Sequence, residues 1–304
     1  MKRPSTTRSY PAVGPWPVGL STGSFYTRSL FEILEPIRSR GFKHLEVCSH
    51  PRHLDYSRPD RVQKASVRLQ QLGLEPVSFH APYGEHIDVT ASDKGFRKRS
   101  IREILLALDA AAVLGASNFV LHPGPELGDP AHTAKERAEK LRTATDSIGF
   151  IAEQCMKYGI TPVLENMLPS MYVGTAGDLE SILGRLNLEQ IGICLDTGHG
   201  NLSGGLRRIV DRLGPHLRVL HVHDNKAGSD EHLPPGQGSV DWHGLLRALL
   251  AAGYSGPLLM ELQGGGPEDT GTMLDRIGAG AEHLLRAWSE SAAADAVQAG
   301  GESG

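Results

Sequence analysis

The stretch LRVLHVHDNKAGSDEHLPPGQG, residues 217–238, gathers His221, His223, Asp224, Asp230 and His232 into one short apolar run and the loop that follows it. Leu217, Val219, Leu220 and Val222 predict a buried strand, because a short run with β-branched residues closed by an Asp-Asn turn fits a strand better than a helix. Residues two apart on a strand share a face, so His221 and His223 point the same way. The prolines and glycines of residues 234–238 stiffen the loop and return Asp230 and His232 toward the strand end. A lone histidine in such a place is ordinarily a satisfied core group. A cluster of ionisable side chains is different, since each unpaired buried one costs roughly several kcal/mol.

Working outward, apolar runs of the same kind recur along the chain. Strands are predicted over 18–22, 44–50, 76–82, 118–124, 161–167, 191–199, 217–225 and 257–263. Between them lie apolar residues at helical spacing, such as Leu30, Ile33, Leu34 and Ile37, then Ile101, Ile104, Leu105, Leu108 and Val113. Gly41, Gly73, Gly115, Gly159 and Gly253 stand where helix ends want a residue tolerating positive φ. Eight strands alternating with eight helices predict a single α/β domain, a (β/α)8 or TIM barrel, over residues 15–288. A doubly wound open sheet is the alternative, but no glycine-rich dinucleotide fingerprint follows the first strand. Residues 1–14 read as a flexible lead-in and residues 289–304, rich in small side chains, as a flexible tail.

The polar residues fall at the C-terminal ends of these runs: His80, His122, Glu165, Asp196 with His199, His221 and Glu261. In a barrel of this type that face carries the active site. Bulk properties narrow the class further. A formal net charge of −4 gives no general electrostatic case for nucleic acid, and no apolar run approaches the ~20 residues of a membrane span. Cys48, Cys155 and Cys194 are too dispersed for a disulfide framework or a thiolate metal site and read as core thiols. With no apolar secretory segment at the N-terminus, they predict a cytoplasmic protein.

Counting His80, His122, His199, His221, His232, Glu165, Asp196, Asp230 and Glu261, five imidazoles and four carboxylates converge on one mouth. Mixed nitrogen and oxygen donors suit divalent zinc or manganese. One ion uses about four such groups, whereas up to about three ions sharing bridging carboxylates use them all. Three dications against these four carboxylates leave a charge of about +2, which suits a phosphate group. Tyr83, Asn166 and His223 are candidate substrate contacts, with His50, His53 and His86 in loops near the same mouth. His223 and Asp224 are also placed to orient His221 by hydrogen bonds, and Asp241 to cap the helix that Trp242 enters.

The motifs HAPY (80–83), LHPG (121–124), LEN (164–166), LDTGH (195–199), HVHD (221–224), DEHLPPGQG (230–238) and MEL (260–262) resemble the xylose-isomerase-like superfamily of barrels. It includes endonuclease IV, of AP endonuclease family 2, and sugar phosphate isomerases and epimerases. The resemblance to endonuclease IV implies a trinuclear zinc site held by all nine groups. The resemblance to the single-metal epimerases implies one ion on Glu165, Asp196, His221 and Glu261. The first implies a metal-dependent hydrolase acting on a phosphoester of a sugar-containing substrate, with Glu165 and Glu261 catalytic. The second implies sugar or sugar-phosphate isomerisation or epimerisation, with Glu165 and Glu261 as an acid/base pair. A non-catalytic sugar- or metal-binding barrel is the third reading. The continuations LENMLPSMYVGTAG and HPGPELGDP, and GEHIDVTASD after HAPY, carry more carboxylates than arginines. A small phosphorylated sugar is therefore the expected partner rather than DNA.

Overall fold

The computed structural model describes residues 12–125, 133–186, 191–266 and 268–301, of which 292–301 as backbone alone. Eight parallel strands close in sequence order: β1 Val18–Ser21, β2 His44–Cys48, β3 Glu75–His80, β4 Asn118–Leu121, β5 Thr161–Glu165, β6 Gly192–Asp196, β7 Leu217–Val222 and β8 Leu258–Met260. The last pairs with the first, Val18 opposite Leu258 and Leu20 opposite Met260. Around them, among the described residues, run α1 Leu30–Ser39, α2 Pro59–Leu72, α3 Lys94–Leu114, α4 Ala134–Lys157, α5 Ala176–Leu186, α6 Thr197–Leu202, α7 Leu206–Leu213, α8 Trp242–Ala251 and α9 Thr270–Gly301. The glycines expected to end helices, Gly41, Gly73, Gly115, Gly159 and Gly253, all have positive φ. Asp241 caps α8, its carboxylate accepting from Gly244 N at 2.9 Å.

Strand alternation divides the core into two parts. One set of side chains faces the helices in a large shared cluster, and the other fills the barrel with Val120, Val163, Cys194, Val219 and Leu259. Two residues beyond each member of that inner layer, and so on the same face, come His122, Glu165, Asp196, His221 and Glu261. The inner layer is thus a dry floor, and the next layer up is ionisable. Burying each aliphatic side chain there contributes about 1.5–3 kcal/mol. Ahead of β1, Trp16 is fully buried, its indole donating to Tyr254 O at 2.8 Å and meeting Trp288 edge-on at 5.2 Å.

Several boundaries depart from the sequence reading. The predicted strand over 191–199 stops at Asp196, because that side chain caps α6 and accepts from His199 N at 2.7 Å. Two helices, α6 and α7, therefore stand between β6 and β7 where one was expected. The barrel takes in Val13, which is fully buried, while residues 1–11 of the predicted lead-in lie outside the described residues. From residue 289, where the sequence predicts a flexible tail, α9 continues as helix through Gly301, in keeping with the high helix propensity of its alanines. Ser291 is buried there and its hydroxyl lies 3.2 Å from His243 Nδ1. Residues 302–304 lie outside the described residues.

Gly19 of β1 is a tight point beside the floor, since an added Cβ would stand 2.5 Å from His44 O and 2.7 Å from Leu259 Cδ2. The backbone oxygen has no rotamer to yield. Gly184 of α5, by contrast, has nothing within 4 Å of its Cβ position. Gly19→Ala is expected to destabilise by about 1–3 kcal/mol through overpacking. Gly184→Ala should stabilise by about 0.5–1 kcal/mol through lost unfolded-state entropy. Urea unfolding of both variants checks this, and effects of the same sign would contradict the packing described.

Candidate metal centre

Three kinds of support bring the polar groups together above the floor. His80, Glu165 and Asp196 end β3, β5 and β6, while His122 and Glu261 immediately follow β4 and β8. His221 lies within β7 and His199 in the first turn of α6. Asp230 and His232 come from the loop after β7, which Asp224 ties down. This buried carboxylate accepts from Asn225 N and Val240 N on one oxygen, and from Gly236 N and Trp242 Nε1 on the other, at 2.9–3.1 Å. Asp224 and Leu233 also exchange backbone hydrogen bonds of 2.8 Å. His232 adopts φ 44°, a left-handed conformation that L side chains rarely take, and its ring is thereby turned to the site.

Glu165 is the shared member. Its Oε2 lies 3.2 Å from His80 Nε2 and 3.4 Å from His122 Nε2, and its Oε1 lies 3.4 Å from His221 Nδ1 and 3.6 Å from His199 Nδ1. Asp196 Oδ1 stands 3.5 Å from His199 Nδ1. Asp230 Oδ2 stands 3.4 Å from His199 Nε2 and 3.0 Å from His232 Nε2. Glu261 Oε2 lies 3.0 Å from His221 Nδ1. Ligand-type atoms of His80, His122 and Glu165 therefore group within 4.8 Å of one another, as do those of Glu165, Asp196 and His199, and those of His199, Asp230 and His232. A fourth group is Glu46, His221 and Glu261. All nine groups expected from sequence are thus neighbours.

The donors fit divalent ions. His80 Nδ1 donates to Ala81 O at 2.9 Å, His199 Nδ1 to Asn166 O at 2.9 Å and His232 Nδ1 to Glu261 O at 3.0 Å. A carbonyl can only accept, so each ring keeps its Nε2 for the carboxylate side, the arrangement metal-ligating histidines adopt. His221 Nδ1 and Asp230 Oδ1 are buried without a hydrogen-bond partner. Such orphaned atoms in a nitrogen and oxygen donor set are what a cation would satisfy.

The neighbouring residues take roles that sequence proximity misassigns. Among the described residues His221 bonds Glu46, not His223 or Asp224. His223 Nε2 instead donates to Asp196, 3.0 and 2.9 Å from its two oxygens, and its ring stacks on His232 at 3.7 Å. Gly198 makes room for that ring, since a Cβ there would stand 2.0 Å from His223 Cε1. Asn166 is buried, and its amide bonds the Asp196 backbone in both directions, at 2.8 and 3.1 Å, so it braces β5 against β6. Tyr83 is 43% exposed and stacks on His122 at 4.9 Å. His53 is buried with Nδ1 2.7 Å from Arg28 O, and burial lowers its pKa to about 4, marking a neutral anchor. His50 and His86 join Tyr26, Tyr56 and Tyr83 around a cleft of about 430 Å³ beside the centre, with no Lys, Arg, Asp or Glu among its lining residues. The three cysteines are buried free thiols. Cys194 lies within 4.8 Å of Glu165 and His221 donors, but burial raises its pKa well above the usual value and keeps it protonated. Glu46 was missed by the sequence reading altogether. Part of the loop HPGPELGDP, residues 126–130, lies outside the described residues.

Without a cation these groups neutralise one another. Burial opposes charge on His80, His199 and His232, yet Glu165, Asp196 and Asp230 respectively outweigh it and raise them to about 9, about 10 and about 9. Burial likewise opposes ionisation of Glu165, Asp196, Asp230 and Glu261, and the facing histidines more than offset it, lowering all four. A cation must then displace imidazole protons. Loading zinc at about pH 7 is expected to release more than one proton per chain, and apparent affinity should rise with pH up to about 9. Calorimetry in buffers of different ionisation enthalpy measures this; loading without proton release would contradict the pairing described.

Comparison with known proteins identifies the family. The chain is 29% identical over 216 residues to a probable endonuclease 4 of Cenarchaeum symbiosum, covering 64% of this chain and 74% of the relative. It is 28% identical over 248 residues to a ketose 3-epimerase of Arthrobacter globiformis, covering 79% and 80%. The solved structure of a D-tagatose 3-epimerase-like protein superposes with a TM-score of 0.76 at 25% identity, over 90% of this chain and 97% of that one. The family model for xylose isomerase-like TIM barrels matches residues 34–287, and the protein belongs to that family.

Proposed function

We propose that the protein is a divalent-metal-dependent hydrolase that cleaves a phosphoester of a small sugar-containing substrate, using a centre of up to about three ions, zinc or manganese. The observation that carries this reading is the pair of outlying donor groups, His80 with His122 and Asp230 with His232, which a single ion on Glu165, Asp196, His221 and Glu261 leaves unused. Bound ions would supply Lewis acidity and a water acidic enough to attack at neutral pH. The chain's part is placement. Glu165 sits among four imidazoles and is suited to be shared between ions. Glu261, with 18% of its side chain exposed, is the carboxylate suited to orient water or hold a proton. With the buried carboxylate of Glu46 included, three dications leave the centre at about +1 rather than about +2, still favourable to a phosphate ester. The cleft beside it offers aromatic faces and, among the described residues, no fixed cation, which favours a compact ring over a DNA backbone.

Sugar epimerisation or isomerisation with one ion is the second reading. It is favoured by the adjacency of Glu165 and Glu261, 3.4 and 3.0 Å from the same His221 nitrogen, and by the likeness to epimerases. There the two glutamates would remove and return a carbon-bound proton.

The double substitution His80→Ala with His122→Ala separates the two. In a polynuclear hydrolase it should lower metal content by about one ion per chain and cut hydrolysis of a chromogenic phosphodiester by about 1,000-fold or more. In a single-ion isomerase, metal content should hold and exchange of substrate protons with deuterated water should fall only about 10- to 100-fold. Unchanged metal content would contradict the proposed hydrolase.

A further inference from the structure

Glu46 lies in the middle of β2, wholly buried, where the strand is otherwise apolar apart from its first residue. An unpaired carboxylate in such a place is strongly disfavoured. Three donors satisfy this one: Ser21 Oγ to Oε1 at 3.2 Å, Ser78 Oγ to Oε2 at 2.8 Å, and His221 Nε2 to Oε2 at 3.0 Å. The two serines sit on the flanking strands β1 and β3, so the carboxylate is clamped from both sides while the histidine reaches it from β7. Since an ionised carboxylate only accepts, the imidazole hydrogen must be on Nε2, and the lone pair of a neutral ring then falls on Nδ1. That atom, like Asp230 Oδ1, is buried without a hydrogen-bond partner, and it faces Glu261 Oε2 and Glu165 Oε1.

We propose that Glu46 is a positioning residue of the metal centre: by accepting from His221 Nε2 it sets the tautomer and ring orientation that turn His221 Nδ1 toward an ion held with Glu165, Asp196 and Glu261. It does not itself touch the reacting atoms. The inference rests on the reading of these groups as metal ligands, and it holds for either the hydrolase or the epimerase. The serines extend the same constraint, since without them the carboxylate would be free to rotate away from the ring.

The test uses the full chain loaded with zinc. Nitrogen-15 NMR of labelled histidines should show His221 with its hydrogen on Nε2 and its metal-bound signal on Nδ1; the opposite pattern would overturn the proposal without any variant. Competition against a chromophoric chelator should show Glu46→Ala weakening zinc binding by about 10- to 100-fold, with Glu46→Gln, which keeps an acceptor oxygen and the volume, recovering most of the loss. Equal zinc affinity in Glu46→Ala and the wild type would overturn it, as would a Glu46→Gln variant no better than Glu46→Ala. A wild-type chain that holds no zinc tightly would instead remove the metal reading on which both proposals stand.

Discussion

The alternation of side chains along parallel strands is the constraint on which the rest depends. Val120, Val163, Cys194, Val219 and Leu259 fill the barrel, and a step of two residues along each strand exchanges that apolar layer for His122, Glu165, Asp196, His221 and Glu261. A one-residue slip of any strand would put a charged group among the helices and an aliphatic one in the site. Closure of the barrel excludes such slips, because every strand is paired on both sides. The floor also underlies the ionisable layer, where Glu165, Asp196 and His221 are almost fully buried. Pairing between carboxylates and imidazoles in that low-dielectric layer is correspondingly strong.

Much of this was legible in the sequence because it is local. A ligand residue two positions past an apolar strand residue can be read without knowing any partner, and the helix-ending glycines follow from backbone sterics alone. What escaped depends on distant residues. Glu46 looks like one polar position in an apolar run, and its partners Ser21, Ser78 and His221 are 25, 32 and 175 positions away. The clue available was a carboxylate at the centre of a strand that has no solvent-facing side. Asp224 misleads in the opposite way. Three positions after His221, an odd step along an extended chain, it is turned the other way and holds the loop that delivers Asp230 and His232. The end of β6 was hidden because Asp196 does two jobs, as a ligand-type residue and as the cap of α6.

The site reads as a graded structure rather than a single cage. Glu165 holds its centre, shared by histidines from four different elements. On one flank stand His80 and His122 under the exposed ring of Tyr83, and on the other His199, Asp230 and His232, with His223 stacked behind them. Relatives named as endonucleases and as ketose epimerases lie at similar distances from this chain, so resemblance alone does not choose a chemistry. The choice rests on the flanking donors. Among them, His80, His199 and His232 have rings anchored on backbone carbonyls, an arrangement suited to ligating a metal, and the aromatic cleft alongside bears on the substrate that the proposed centre would take.

Under the proposed function these donors hold more than one ion. Elemental analysis of the purified wild-type protein, dialysed exhaustively against metal-free buffer after loading, measures it most directly. The proposed centre should retain two to about three tightly held divalent ions per chain. A single ion, or none, would contradict it.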